Sequence, residues 1–235
     1  MQIVITGATR GIGKAVVEAF ARASTPHHFF VCARKENQLQ DLEKAVKAIN
    51  PHHQISWQAC DFQDAQQIKA FAGLVLDQTK AVDILINNAG IYEPGSCYNE
   101  PEGLLEKMIQ VNLMSAYHLT RALINPMIQQ QKGHIFNLCS IASIKAYANG
   151  GSYSISKYAL SGFTRNLREE LKPFGIKVTG IYPGATLSSS WDGMDIEPKR
   201  IMEVDDVAKM ILAAAALSPQ AVVEDIILRP QLGDL

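Results

Sequence analysis

The chain has 235 residues, 47% of them hydrophobic and 19% charged, with a formal net charge of −1. This length suits one α/β domain spanning residues 1–235, and the balance excludes a disordered chain. Near-neutral charge without a Lys/Arg block offers no attraction for nucleic acid or an anionic membrane surface.

Gln2 to Thr6 is an apolar run that stops at a glycine and reads as a buried strand. Gly7-Ala8-Thr9-Arg10-Gly11-Ile12-Gly13 follows, and then Lys14 to Phe20 at helical period. Strand, glycine-rich turn and helix make a phosphate cradle, because a helix N-terminus offers free N–H groups and a positive dipole end. The spacing is G-x3-G-x-G, so the general dinucleotide fingerprint is not strictly met. A strand is expected over His28–Ala33, a helix over Lys35–Ile49, and a third strand over Gln54–Cys60. The capping-box pattern Asp64-Ala65-Gln66-Gln67 starts a helix running to Lys80 and leaves Asp61 free for another role. Strand Val82–Asn87 runs into Asn88-Ala89-Gly90, small and amide residues suited to a close backbone approach to a ligand.

Two helical stretches, Glu102–Val111 and Leu113–Gln131, precede strand His134–Cys139, which delivers Ser140 to a carboxyl end where open α/β sheets bind ligands. A long helix over Ser152–Lys172, strand Lys177–Tyr182, helix Val204–Leu217 and strand Val222–Leu228 complete the chain. The alternation predicts a doubly wound parallel sheet of about seven strands with helices on both faces.

Cys32, Cys60, Cys97 and Cys139 lack CxxC spacing and are expected as reduced thiols of a cytoplasmic protein. His27-His28 and His52-His53 lack a partner motif, so no metal site is expected. The first strand begins at once, so no secretion signal is expected. The apolar stretch Met210–Leu217 is far shorter than the roughly 20 residues that span a bilayer.

Tyr153 and Lys157 lie within the long predicted helix. Positions i and i+4 share a helix face, about 5–6 Å apart at Cβ. Lowering a phenol from about 10 to about 7 takes roughly 4 kcal/mol. One cation about 5 Å away, at an effective dielectric near 20, supplies roughly 3 kcal/mol. The pair is therefore expected to bring the phenol toward neutrality with help from a cationic cofactor ring, as proton transfer requires.

Thr6-Gly7, Gly11-Ile12-Gly13, Asn87-Asn88-Ala89-Gly90, Asn112, Ser140, Tyr153, Lys157 and Pro183-Gly184, in this order and at these spacings, resemble the short-chain dehydrogenase/reductase family over nearly the whole chain. The resemblance implies a Rossmann-type fold and hydride transfer between a nicotinamide and a small carbonyl or alcohol. Ser140 would hydrogen-bond the substrate oxygen and Tyr153 would exchange a proton with it. Lys157 would hold the nicotinamide ribose and lower the phenol's pKa, and Asn112 would anchor a relay water. Gly7, Thr9, Arg10, Gly11, Ile12 and Gly13 would bind the cofactor from the glycine turn, and Asn88, Ala89 and Gly90 would line it. Asp61 and Phe62 would meet the adenine edge, and Pro183-Gly184 would pass beside the nicotinamide.

Folds that prefer NAD place an acid at the end of the second strand, where this chain has Ala33 followed by Arg34. With Arg10 in the glycine turn, two guanidiniums suit a 2′-phosphate, so NADP(H) is expected over NAD(H). The family's threonine five positions after the proline is Ser188 here, with Thr186 nearer, leaving two candidates for the carboxamide. The ending Leu228–Leu235 departs from the glycine-rich tail of many members, and a homodimer or homotetramer both stay open. Leu187–Lys199 would cover the pocket, with Tyr92, Tyr147, Trp191 and Met194 as an apolar wall. The pattern is similar to 3-oxoacyl reductases and to small carbonyl or pterin reductases. The alternative from another class is a catalytically idle NADP(H)-binding sensor or interaction protein.

Overall fold

The computed structural model describes residues 1–187 and 197–233. Apolar, β-branched runs form β1 (Gln2–Thr6), β2 (His28–Ala33), β3 (Gln54–Ala59), β4 (Ile84–Asn87), β5 (Gly133–Leu138), β6 (Ile176–Pro183) and β7 (Asp225–Leu228). Among the described residues they make one seven-stranded sheet, ordered β3-β2-β1-β4-β5-β6-β7, with every pairing parallel. Parallel strands need crossovers, supplied by α1 (Gly11–Ala21), α2 (Glu36–Ile49), α3 (Ala65–Gln78), α4 (Leu104–Ile109), α5 (Ser115–Gln130), α6 (Gly151–Leu171) and α7 (Val204–Ala215).

The strand period of two splits the core into two layers. Ile3 and Ile5 of β1 turn with Phe29 and Val31 of β2 to one face, against Phe20 of α1, Leu42 of α2 and Ile211 of α7. Val4, between them, turns with Phe30 to the other face, against Phe71 of α3, Leu123 of α5 and Leu171 of α6. Burial on both faces is why these strands read as continuous apolar runs. Each fully buried Phe, Leu or Ile contributes about 1.5–3 kcal/mol. The chain order reverses between β1 and β4, which places a ligand crevice beyond their carboxyl ends.

Two elements differ from the sequence reading. Pairing on β6 begins at Gly180 with Asp225, so β7 starts three residues later than expected. The two helices expected around Asn112 form one run, with a π-helical turn at Gln110–Met114 between α4 and α5. Within that turn the Asn112 amide accepts from Ile91 N at 2.8 Å and donates to Ile91 O at 3.1 Å, so a distant loop takes up its polar atoms.

Candidate active site

The glycine turn sits at the strand-order reversal and is braced from β4. The Asn88 side-chain amide donates to Thr6 O at 2.9 Å and Gly7 O at 3.1 Å. Thr6 Oγ1 accepts from Asn88 N at 3.0 Å and Ala89 N at 2.9 Å. Gly7 has a φ of 64°, and a Cβ on Gly13 would strike the Gly7 carbonyl, so backbone packs where a side chain would otherwise stand. Arg10 gives α1 no side-chain cap, leaving the first N–H groups of that helix to meet an anion.

Ala33 ends β2 and the exposed Arg34 follows, with Arg10 exposed in the turn. Thr9 Oγ1 donates to Gln38 Oε1 at 3.2 Å, tying the turn to α2. Asp64 caps α3 as its pattern predicts, accepting from Gln66 N at 2.8 Å. Asp61 remains partly exposed, accepting from Gln63 N at 3.0 Å, while Phe62 is buried.

At the other end of the crevice, β5 delivers Ser140, whose buried hydroxyl accepts from Ala142 N at 3.1 Å. A 21-residue helix, α6, carries Tyr153 and Lys157. Lys157 is buried, donates from Nζ to Leu138 O at 2.7 Å, and lies 5.9 Å from the centre of the Tyr153 ring. A Cβ on Gly90 would come within 3.2 Å of Asn112 Oδ1 and 3.4 Å of Lys157 Nζ, so Gly90 separates the two. The Asn112 amide also donates to Ser156 Oγ at 2.9 Å, and its side chain clamps the Gly90–Ile91 backbone against α6.

One cavity of about 560 Å³ is lined by Ile12, Asn88 and Gly90 on one side, by Ser140, Tyr153 and Lys157, and by Pro183, Gly184 and Thr186. Thr186 is buried and donates to Gly184 O at 3.0 Å. Arg10, Arg34, Asp61 and Phe62 are not among its lining residues. Tyr92 and Tyr147 line the cavity as expected, and Tyr92 packs edge-on to Tyr153 with ring centres 4.9 Å apart. Ser188, Trp191 and Met194 lie outside the described residues. Sequence reading missed Pro94, Ile141 and Asn149 in the wall. For Ile141 and Asn149 the signal available was the span between Ser140 and Tyr153, which must pass beside any pocket those two share; Pro94 follows β4 and carried no such signal.

The electrostatics correct one expectation. Burial pushes the Tyr153 phenol up to about 12, and Tyr92 adds to the rise while a hydrogen bond to Ser140 opposes it. Lys157 is itself pushed down to about 8 by burial. Lys157 is not among the groups that shift the phenol. The Lys157 ammonium donates instead to the Leu138 carbonyl, and burial sets the direction of the phenol's shift.

A family model described as short chain dehydrogenase matches residues 1–196. The chain belongs to the short-chain dehydrogenase family. It is 30% identical to a sepiapterin reductase of Chlorobaculum tepidum, over 99% of this chain and 97% of that protein. It is 34% identical to a 3alpha-hydroxysteroid dehydrogenase of Mediterraneibacter gnavus, over 78% of this chain and 72% of that one. Among solved structures, a metagenomic short-chain oxidoreductase in complex with NADP superposes with a TM-score of 0.82, at 29% identity, over 98% of this chain and 97% of that one. As a member of an oxidoreductase family, the chain is an oxidoreductase. Among the described residues, no group of three or more His, Cys, Asp or Glu could hold a metal ion, and no helix is long and apolar enough to cross a membrane.

Proposed function

We propose that this chain is an NADP(H)-dependent reductase of small carbonyl compounds, with Tyr153 as general acid and base. The observation that carries the reading is that Ser140, Tyr153 and Lys157 line one cavity with Asn88 and Gly90, which border the braced glycine turn. The donor set fits a dinucleotide carrying a 2′-phosphate: a turn that Gly7 and Gly13 let pack tightly, an uncapped helix N-terminus, and Arg10 and Arg34 with no acid at Ala33. The NADP bound by the metagenomic relative supports the same choice. NADP(H), when bound, supplies the hydride in reduction and accepts it in oxidation.

The glycine turn from Gly7 to Gly13, with Asn88, Ala89 and Gly90, would hold the cofactor along β1 and β4. Asp61 and Phe62 would meet its adenine, Lys157 its nicotinamide ribose, and Pro183, Gly184 and Thr186 its nicotinamide end. Ser140 Oγ donates to the substrate oxygen, and the Tyr153 phenol gives that oxygen a proton as charge develops on it. A phenol held protonated by burial suits this donation. Lys157, charged below about 8, would orient the ribose. The enzyme works as a single-domain cytoplasmic protein, a homodimer or homotetramer. A panel of ketones and aldehydes, including acetoacetyl thioesters, diketones, pterins and ketosteroids, assayed by NADPH oxidation tests the reading. Turnover of at least one is expected, and failure of the whole panel would overturn it.

A further inference from the structure

The helix that presents Tyr153 has no cap of its own. Gly150, at its N-cap, offers no side chain, so the first N–H groups of α6 look elsewhere for acceptors. Glu100, from the loop between β4 and α4, supplies them. Its Oε2 accepts from Ser152 N at 3.1 Å and its Oε1 accepts from the Ser152 hydroxyl. Ser152 is buried and immediately precedes Tyr153.

The same loop grips this turn at further points. Gly95 N donates to Asn149 O at 3.2 Å, and Ser96 Oγ donates to Asn149 Oδ1 at 2.8 Å. Gly151, at a φ of 35°, leaves no room for a Cβ, which would collide with Gly95 O and Glu100 Oε2. Tyr92, near the start of the loop, rests edge-on against the Tyr153 ring. A negative carboxylate at a helix N-terminus also complements the dipole. The loop that walls the substrate cavity thus ends in the cap of the helix that carries the general acid.

We infer that Glu100 is a positioning residue for Tyr153: by capping α6 it fixes the phenol in its proton-donating place, and it makes the order of the pocket loop a condition of catalysis. The inference rests on Tyr153 as the general acid. The test compares wild type, Glu100→Ala and Glu100→Gln, the last of which keeps an acceptor oxygen. Four readouts apply: kcat and KM, the Kd of NADPH, amide exchange of residues 150–157, and the ¹³Cζ resonance of Tyr153, assigned through Tyr153→Phe.

Glu100→Ala is expected to lower kcat at least tenfold, keep the cofactor Kd within about threefold, speed exchange at the start of α6 and move the Tyr153 resonance. Glu100→Gln is expected to recover most of kcat. Wild-type kcat with an unmoved resonance in Glu100→Ala would overturn the inference, as would a loss confined to cofactor affinity. A wild type that turns over no carbonyl would defeat the functional reading alone, since exchange and the Tyr153 resonance still decide the role of Glu100.

Discussion

In the proposed mechanism Lys157 would serve the ribose with an ammonium whose pKa burial has lowered. Its pKa is lowered to about 8, so the cation is present below that pH and lost above it. The pH profile of kcat/KM for reduction is therefore expected to fall on its alkaline side near that value. Lys157→Met should abolish that limb and weaken cofactor binding by roughly 10–100-fold, because a charge-assisted hydrogen bond contributes roughly 1.5–3 kcal/mol. An identical limb in the variant would assign the titration to another group. At the adenosine end, Ala33→Asp with Arg34→Ala adds a carboxylate and removes a guanidinium where a 2′-phosphate would sit. The ratio of NADPH to NADH affinity should drop at least about a hundredfold, read by fluorescence titration of both cofactors. An unchanged ratio would make Arg34 a solvated start of α2. That Ser140, Tyr153 and Lys157 would face one crevice was legible from sequence because strand ends and an i,i+4 spacing fix where side chains go. Their ionisation was not legible, because desolvation depends on what other segments pack around them.

Elements differ in how far their residues reach, and this separates what could be read from what could not. The strands announced themselves by local composition, and Asp64 capped α3 through neighbours two and three residues away. The π turn at Asn112 answers to Ile91, 21 residues distant, and the cap of α6 comes from Glu100, 52 residues from Ser152. No periodicity within either helix encodes such partners. Arg168 is a further case, joining α6 to β6 and β7. Its nearly buried guanidinium donates to Val178 O at 3.0 Å, to Glu224 O, and to Asp225 Oδ1 at 2.6 Å. Arg168→Met would leave two carbonyls and a carboxylate without this donor, at about 1–3 kcal/mol for each one left unsatisfied. Since the segment is partly open to water, an overall loss of about 2–4 kcal/mol is expected in urea unfolding. A loss below about 1 kcal/mol, within the range of ordinary substitutions, would mean that water replaces the guanidinium.

For the molecule as a whole, the sheet order that seats the crevice also buries a histidine where acid will find it. His134, at the start of β5, shares a 2.7 Å hydrogen bond with Thr179 and is lowered to about 3 from 6.5, first by burial and then by Lys177. The unfolded chain therefore binds this proton more readily than the folded one, so stability is whole above about 6.5 and is lost as pH falls toward 3. The slope from this residue is at most about 1.4 kcal/mol per pH unit. Urea midpoints measured from pH 7 to pH 4.5 should fall, and fall less steeply in His134→Gln; equal slopes would clear His134 of the effect. The parallel sheet with helices on both faces was foreseen from alternation, whereas its strand order and the substrate were not, because strand neighbours and the loops of the pocket wall are set by the fold. In the proposed reaction one phenol in that pocket moves the proton while other residues hold the cofactor. The most direct measurement pairs NADPH oxidation with NADPH binding in Tyr153→Phe. A fall in kcat of at least a hundredfold with cofactor affinity kept is expected, since general acid–base groups contribute about 10²–10⁴. A Tyr153→Phe protein that still reduces its carbonyl at near the wild-type rate would contradict the account.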